Sequence, residues 1–213
     1  MSARAFCQRF TVFGRPIKLS ENQEVWVTLM ITFEKAGRVN TDECLDAAVD
    51  ELKRTRLSHL VVASTSGDTA LKAAKLLGRL DASLVVVTHN YGFKNPGDLE
   101  MSPETRRRLE DRGAVVHTGT MPFRNIGTAI RSTLGYSQQD LIANTLRLLG
   151  QGIKVCAEIA MMAADAGLIG TDDVITVAGT GRGADTAAVI QPVSSNRLFD
   201  MKIRKIIAKP FDW

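Results

Sequence analysis

The sequence predicts an α/β domain of three layers, an open, mainly parallel sheet with helices on both faces and an antiparallel C-terminal portion. Three observations carry this. From residue 28 onward short β-branched runs alternate with helical stripes. The runs are apolar along their whole length, as strands are when helices cover both faces of a parallel sheet. The last strands follow one another with no crossover helix between them.

Thr28–Phe33 has strand length and apolar character. Asn40 is placed to cap a helix whose Leu45, Ala48, Val49 and Leu52 fall at i, i+3, i+4 and i+7. His59–Ser64 is the next strand, followed by a helix with Ala70, Ala73, Ala74 and Leu77 at the same spacing. Ser83–Thr88 is again a strand. Ser102-Pro103-Glu104 starts a helix with a capping oxygen, a proline where no donor is lost and a carboxylate at the positive end. That helix stops near Gly113, and Ala114–Thr118 forms another strand. Helices are expected at about 122–134, 137–149 and 153–166. Asp173–Ala178, Thr186–Gln191 and Ile203–Ala208 close the sheet. No internal repeat or linker divides residues 28–213, and residues 1–27 read as an N-terminal extension.

The composition narrows the function classes. Of 213 residues, 45% are hydrophobic and 23% charged, which is ordinary globular usage and argues against disorder. The most apolar stretch, Val155–Ile169, is interrupted by Glu158 and Asp165 and falls short of the roughly 18 uncharged residues that span a bilayer. No membrane partner is expected. A balance of 27 Lys and Arg against 23 Asp and Glu suits an anionic small ligand and does not call for nucleic acid. Three cysteines without a C-x-x-C, and three histidines without ligand spacing, give neither a disulfide framework nor a metal site. A cytoplasmic location fits that usage. Residues 1–20 carry Arg4, Arg9, Arg15 and Lys18 but lack the apolar run of a secretory signal. Phe6, Phe10, Val12 and Phe13 are expected to pack against the body or against a second subunit in a homo-oligomer.

In an open parallel sheet, ligands bind where loops leave the carboxyl ends of the strands. Those loops are rich in hydroxyls and glycines. They contain Glu34, Lys35 and Gly37; Ser64, Thr65, Ser66, Gly67 and Thr69; Thr88, His89, Tyr91, Gly92 and Phe93; Met121; and Thr180, Arg182, Gly183, Ala184, Asp185 and Thr186. In the second loop a strand ends at Ser64, Gly67 permits a tight turn and a helix begins near Asp68. Free amides and the helix dipole suit a phosphate, and plain helix capping uses the same residues. The 179–186 loop offers G-x-G but fails the dinucleotide fingerprint, because a strand follows where that motif needs a helix. It is either a backbone surface for a ligand, with Arg182 and Asp185 as polar partners, or a flexible hairpin turn. Tyr91 and Phe93 either stack on a planar ring or pack beneath their own loop.

With those loops in hand a resemblance emerges. His59–Asn90 and Asp173–Pro192 resemble the C-terminal α/β domain of pyruvate kinase. Residues 28–209 are similar to stand-alone, mostly archaeal and bacterial proteins built from that domain alone. The family's E-K-x-G-x-x-N-T stretch is present as Glu34–Thr41, and its G-x-K-V-C-x-E-I segment as Gly152–Ile159. In pyruvate kinase the loop matching Ser64–Thr69 holds a phosphate of the sugar bisphosphate activator, and Asp68 stands where the enzyme often has a base. The resemblance implies flavin mononucleotide (FMN) as cofactor, with its phosphate on Ser64–Thr69 and its isoalloxazine on the aromatic and glycine loops. The alternative it implies is a non-catalytic regulatory module for a sugar phosphate or nucleotide. Pyruvate kinase activity is not implied, because the catalytic barrel is absent, and no catalytic residue is assigned.

Other charged groups read as ordinary surface. Arg106, Arg107 and Arg108 fan around a helix and are expected to be solvated. Lys202, Arg204 and Lys205 read as a basic edge strand. Lys154, Glu158 and Asp165 are expected to form the polar stripe of their helix. Met161 and Met162 are expected in the core, and Cys156 is expected to be inert.

Overall fold

A computed structural model of the chain describes residues 30–78 and 80–213, together with the backbone of two short strands, β1 (Pro16–Ser20) and β2 (Gln23–Trp26). These two strands pair antiparallel with each other. Phe6, Phe10, Val12 and Phe13, expected to pack as an extension, lie outside the described residues.

Beyond them the chain runs β3 (Ile31–Lys35), α1 (Thr41–Thr55), β4 (His59–Ala63), α2 (Asp68–Leu77), β5 (Ser83–Val87) and α3 (Pro103–Glu110). It continues with β6 (Val115–His117), α4 (Asn125–Leu134), α5 (Gln138–Arg147), α6 (Gln151–Asp165), β7 (Val174–Ala178), β8 (Thr186–Gln191) and β9 (Lys202–Asp212). The strands form one seven-stranded sheet in the order β3-β9-β8-β7-β4-β5-β6. Six run parallel, and β8 alone is reversed, antiparallel to both β7 and β9. The antiparallel portion is therefore a single strand set between parallel neighbours.

Core residues explain the layers. On one face Leu45, Ala48, Val49 and Leu52 of α1 and Ala70, Ala73 and Leu77 of α2 bury with Leu60, Val62, Leu84 and Val86. On the other face α6 packs against the sheet through Ile159, Met162, Ala163, Ile153 and Cys156. The alternate residues Val61, Val85 and Val87 point to that side, which is why these strands are apolar throughout. Gly152 lets the α6 backbone approach β8, since a Cβ there would run into Thr186. The α4–α5 hairpin forms an outer layer on α6, with Phe123 and Ala143 meeting Ala157 and Met161. Among the described residues no helix is long and apolar enough to cross a membrane.

Some local expectations need correction. Asn40 does not cap α1; its carboxamide donates to Lys35 O at 2.8 Å, and a 3-10 turn over Arg38–Asn40 leads directly into the helix. The Ser102 cap is as expected, its Oγ accepting from Thr105 N at 3.1 Å. A 3-10 turn at Ser195–Asp200 connects β8 and β9, where no helical element was expected. β9 is not an edge strand over its whole length. Lys202–Ile206 pair only with β8, whereas Ala208–Asp212 pair with β3. Arg204 reaches Asp173, and Lys205 reaches the buried Glu51, so these cations are engaged in pairs. Arg106 likewise turns inward, donating to Val116 O and Thr118 Oγ1.

Candidate functional site

Because six strands share one direction, the loops after β3, β4, β5, β6 and β7 gather on one rim, and the reversed β8 begins there too. All five expected loops therefore lie along the same edge of the sheet. They divide into two groups.

The first group surrounds a cleft of about 160 Å³ between the carboxyl ends of β4 and β5, the α4–α5 hairpin and the first half of α6. Ser64, Thr65, Thr88, His89, Phe93 and Met121 line it. The turn after β4 forms a cradle beside it. Gly67 has φ +98°, and the backbone N–H groups of residues 65–69 make no hydrogen bond to another described residue. These amides open onto the N-terminus of the ten-residue α2, where the helix dipole favours an anion. The hydroxyls around them differ in role. Ser64 Oγ accepts from Ala70 N at 3.2 Å and so caps the helix, while Ser66 donates to Asp68 at 3.2 Å, holding that carboxylate. Thr65 faces the cleft and Thr69 is buried. Ser64 therefore serves the helix start, and the backbone amides of the turn stay open to a ligand.

At the cleft mouth the Phe93 ring stacks on His89 with centroids 3.7 Å apart, and the Arg124 guanidinium lies 4.3 Å from the Phe93 centroid. His89 Nδ1 is 2.7 Å from Glu100 Oε2, and Lys94 reaches the other oxygen of that carboxylate. Burial alone pushes the Glu100 carboxyl up; hydrogen bonds from Lys94 and His89 outweigh it and hold it below the usual range. Phe93 thus packs within its own site, whereas Tyr91 remains exposed. Gly92, at φ +77°, donates to Asp98 O and closes the turn that carries these aromatics.

The second group lies farther along the rim, where β3 and β8 meet it, and does not line the cleft. Asp185 is fully buried and its carboxylate accepts from Gly37 N at 2.9 Å, Thr180 N at 3.0 Å and Thr186 Oγ1 at 2.9 Å. It is a staple between the Glu34–Gly37 and Gly179–Thr186 loops, and its capacity is spent on the protein itself. Ala184 and Thr186 are also buried, Ala184 N donating to Thr41 Oγ1. Gly183 sits where a Cβ would strike Arg38 and Thr41. In this half of the rim Glu34, Lys35, Gly181 and Arg182 are exposed, and Gly37, Thr180 and Gly183 are partly so.

The cleft floor holds residues the sequence reading assigned to a polar stripe. Lys154 and Glu158, one turn apart on α6, are 5% and 1% exposed and form an ion pair. Glu158 also accepts from Phe123 N at 3.0 Å, and the Lys154 ammonium lies 5.5 Å from the Phe123 ring centroid. Burial pulls the Lys154 ammonium below its ordinary value, Glu158 pushes it back up, and the nearby Arg147 and Arg124 lower it again. Arg131 pairs with Asp140 at 2.9 Å. Of that stripe only Asp165 behaves as surface, accepting from Ser195 N. The signal available in the sequence was the Gly152–Ile159 segment itself, whose lysine and glutamate sit four residues apart on an otherwise apolar helix.

A family model described as pyruvate kinase, alpha/beta domain, matches residues 42–190. Among solved structures the chain is similar to two of pyruvate kinase from Cryptosporidium parvum. The first shares 17% identity with a TM-score of 0.38, covering 72% of this chain and 23% of that one. The second shares 15% identity with a TM-score of 0.37, covering 72% and 22%. The chain therefore spans less than a quarter of the length of those enzymes.

Proposed function

The chain belongs to the pyruvate kinase alpha/beta-domain family, and from that premise we propose that it binds a phosphorylated small molecule, with FMN as the cofactor and the phosphate seated on residues 65–69. The observation that carries this reading is the row of unpaired backbone amides at the start of α2. Buried or half-buried amides ordinarily find acceptors, and a run of them at a helix N-terminus is complementary to phosphate oxygens.

The fit of the flavin is uneven. The cradle matches the phosphate. The cleft, at about 160 Å³, is below the roughly 300 Å³ of a typical small-molecule site, and Phe93 is already stacked on His89. In this reading an isoalloxazine would sit outside the cleft, on the rim beside the exposed Tyr91. Thr180 Oγ1 is buried without a hydrogen-bond partner among the described residues.

The second reading, a regulatory module for a sugar phosphate, is favoured by the same cradle, which reads a phosphate and nothing attached to it. Titration of the purified protein with FMN, followed by flavin absorbance and fluorescence, separates the two. Saturable binding with a perturbed flavin spectrum supports the cofactor. No flavin binding, with a melting temperature raised by sugar bisphosphates, supports the module. No response to either removes both.

A further inference from the structure

The cleft floored by Lys154 and Glu158 has its own chemistry, separate from the phosphate cradle. Two opposite charges are buried side by side there, so that each depends on the other for compensation. Four cationic side chains line the cleft, Arg124, Arg131, Arg147 and Lys154, against two carboxylates, Asp140 and Glu158. Both carboxylates are already paired, with Arg131 and Lys154. Arg124 and Arg147 have no carboxylate partner among the described residues.

Arg147 is held ready. Its Nε donates to Gln151 Oε1 at 2.6 Å and its Nη1 to Asn144 Oδ1 at 2.7 Å, which fixes the guanidinium plane and leaves Nη2 uncommitted. Arg124 is held by stacking on Phe93. The uncommitted Nη2 can donate to one carboxylate oxygen, and the Arg124 guanidinium can serve the other. At about 160 Å³ the cleft is smaller than the roughly 300 Å³ of a typical small-molecule site, so a compact acid suits it.

We propose that this cleft is a second ligand site, taking a small dicarboxylate between Arg147 and Arg124 above the Lys154–Glu158 pair. Arg147 and Arg124 bind the anion. Lys154 supplies positive charge from below, and Glu158 positions Lys154 and the Phe123 backbone. The inference holds whether or not a flavin occupies the cradle.

The test is calorimetric titration of the full chain with oxalate, malonate and succinate, and separately with inorganic phosphate, on wild type, Arg147→Gln and Arg124→Gln. Saturable binding of at least one dicarboxylate is expected, weakened tenfold or more by either substitution. Phosphate binding, seated on backbone amides, is expected to change less than twofold in both. The double variant Lys154→Met/Glu158→Gln, checked for folding by its melting curve, is expected to lose the dicarboxylate and keep phosphate. Absence of dicarboxylate binding to wild type overturns the proposal, as does binding that Arg147→Gln leaves intact. Because FMN is not a probe in this experiment, failure of the flavin reading leaves its outcome unaffected.

Discussion

Lys154 and Glu158 form an ion pair on consecutive turns of α6 with almost no solvent contact, and Glu158 simultaneously accepts the Phe123 amide. Removing one charge strands the other. Lys154→Met is expected to destabilise the fold by about 3–5 kcal/mol, whereas Lys154→Met/Glu158→Gln costs substantially less, because no bare charge stays buried and the amide oxygen still accepts from Phe123. Urea denaturation of the three proteins measures both. Equal losses in the single and double variants would show that the pair is not electrostatically coupled.

Gly67 is where the proposed phosphate cradle and packing make different demands. From the sequence, a bulky substitution there is expected to clash with the ligand. In the structure a Cβ at Gly67 runs into the Thr105 methyl of α3, and φ is +98°. Gly67→Val is therefore expected to lower stability, by about 3 kcal/mol from backbone strain and overpacking together, even with no ligand present. Thermal melts of the ligand-free protein test this. Thr105→Ala in the same chain should recover the steric part and leave the strain.

What the sequence could disclose follows from how local each cause is. Strand and helix positions are written in neighbours a few residues apart, so the alternation of β4, α2, β5 and α3 was legible, as was the cap at Ser102. The convergence of five loops on one rim followed from strand direction alone. Burial of Lys154 and Glu158 was not legible, because charges four residues apart on a helix look the same whether water or an α4–α5 hairpin lies above them. Asp185 was assigned to a ligand for the same reason. A carboxylate in a glycine loop suits either, and only the approach of Gly37 from β3 decides it.

Asp185 closes three hydrogen bonds that tie loops 148 residues apart in the chain. Asp185→Ala is expected to cost on the order of 3 kcal/mol, since Gly37 N, Thr180 N and the Thr186 hydroxyl lose their acceptor in a buried setting. Hydrogen exchange at the Gly37 and Thr180 amides should accelerate, while the amides of β5 remain protected. Unchanged exchange at both positions would mean the loops are held together by other contacts.

Cys156 is fully buried, and burial pushes its thiol up to about 12; Cys44 is raised in the same way. Neither is expected to be a thiolate at pH 8. Labelling with a maleimide, read peptide by peptide by mass spectrometry, should leave both unmodified in the native protein and modify both in urea. Fast native labelling of Cys156 would mean that α6 lifts from the sheet.

His117 ends β6 with its ring over Gly119, where any Cβ would collide with it. Burial lowers its affinity for a proton, and the Arg106 guanidinium lowers it further. A histidine with a folded value below its unfolded value of 6.5 binds fewer protons in the native state. Stability from this source is therefore complete above pH 6.5 and declines as pH falls through the folded value. Proton NMR titration of the His117 ring should give a midpoint below 6.5, and Arg106→Gln should raise it. His117→Gln should flatten the part of the stability profile just below pH 6.5, with little effect at pH 8. A wild-type midpoint above 6.5 would reverse the sign and require a carboxylate beside the ring in place of Arg106.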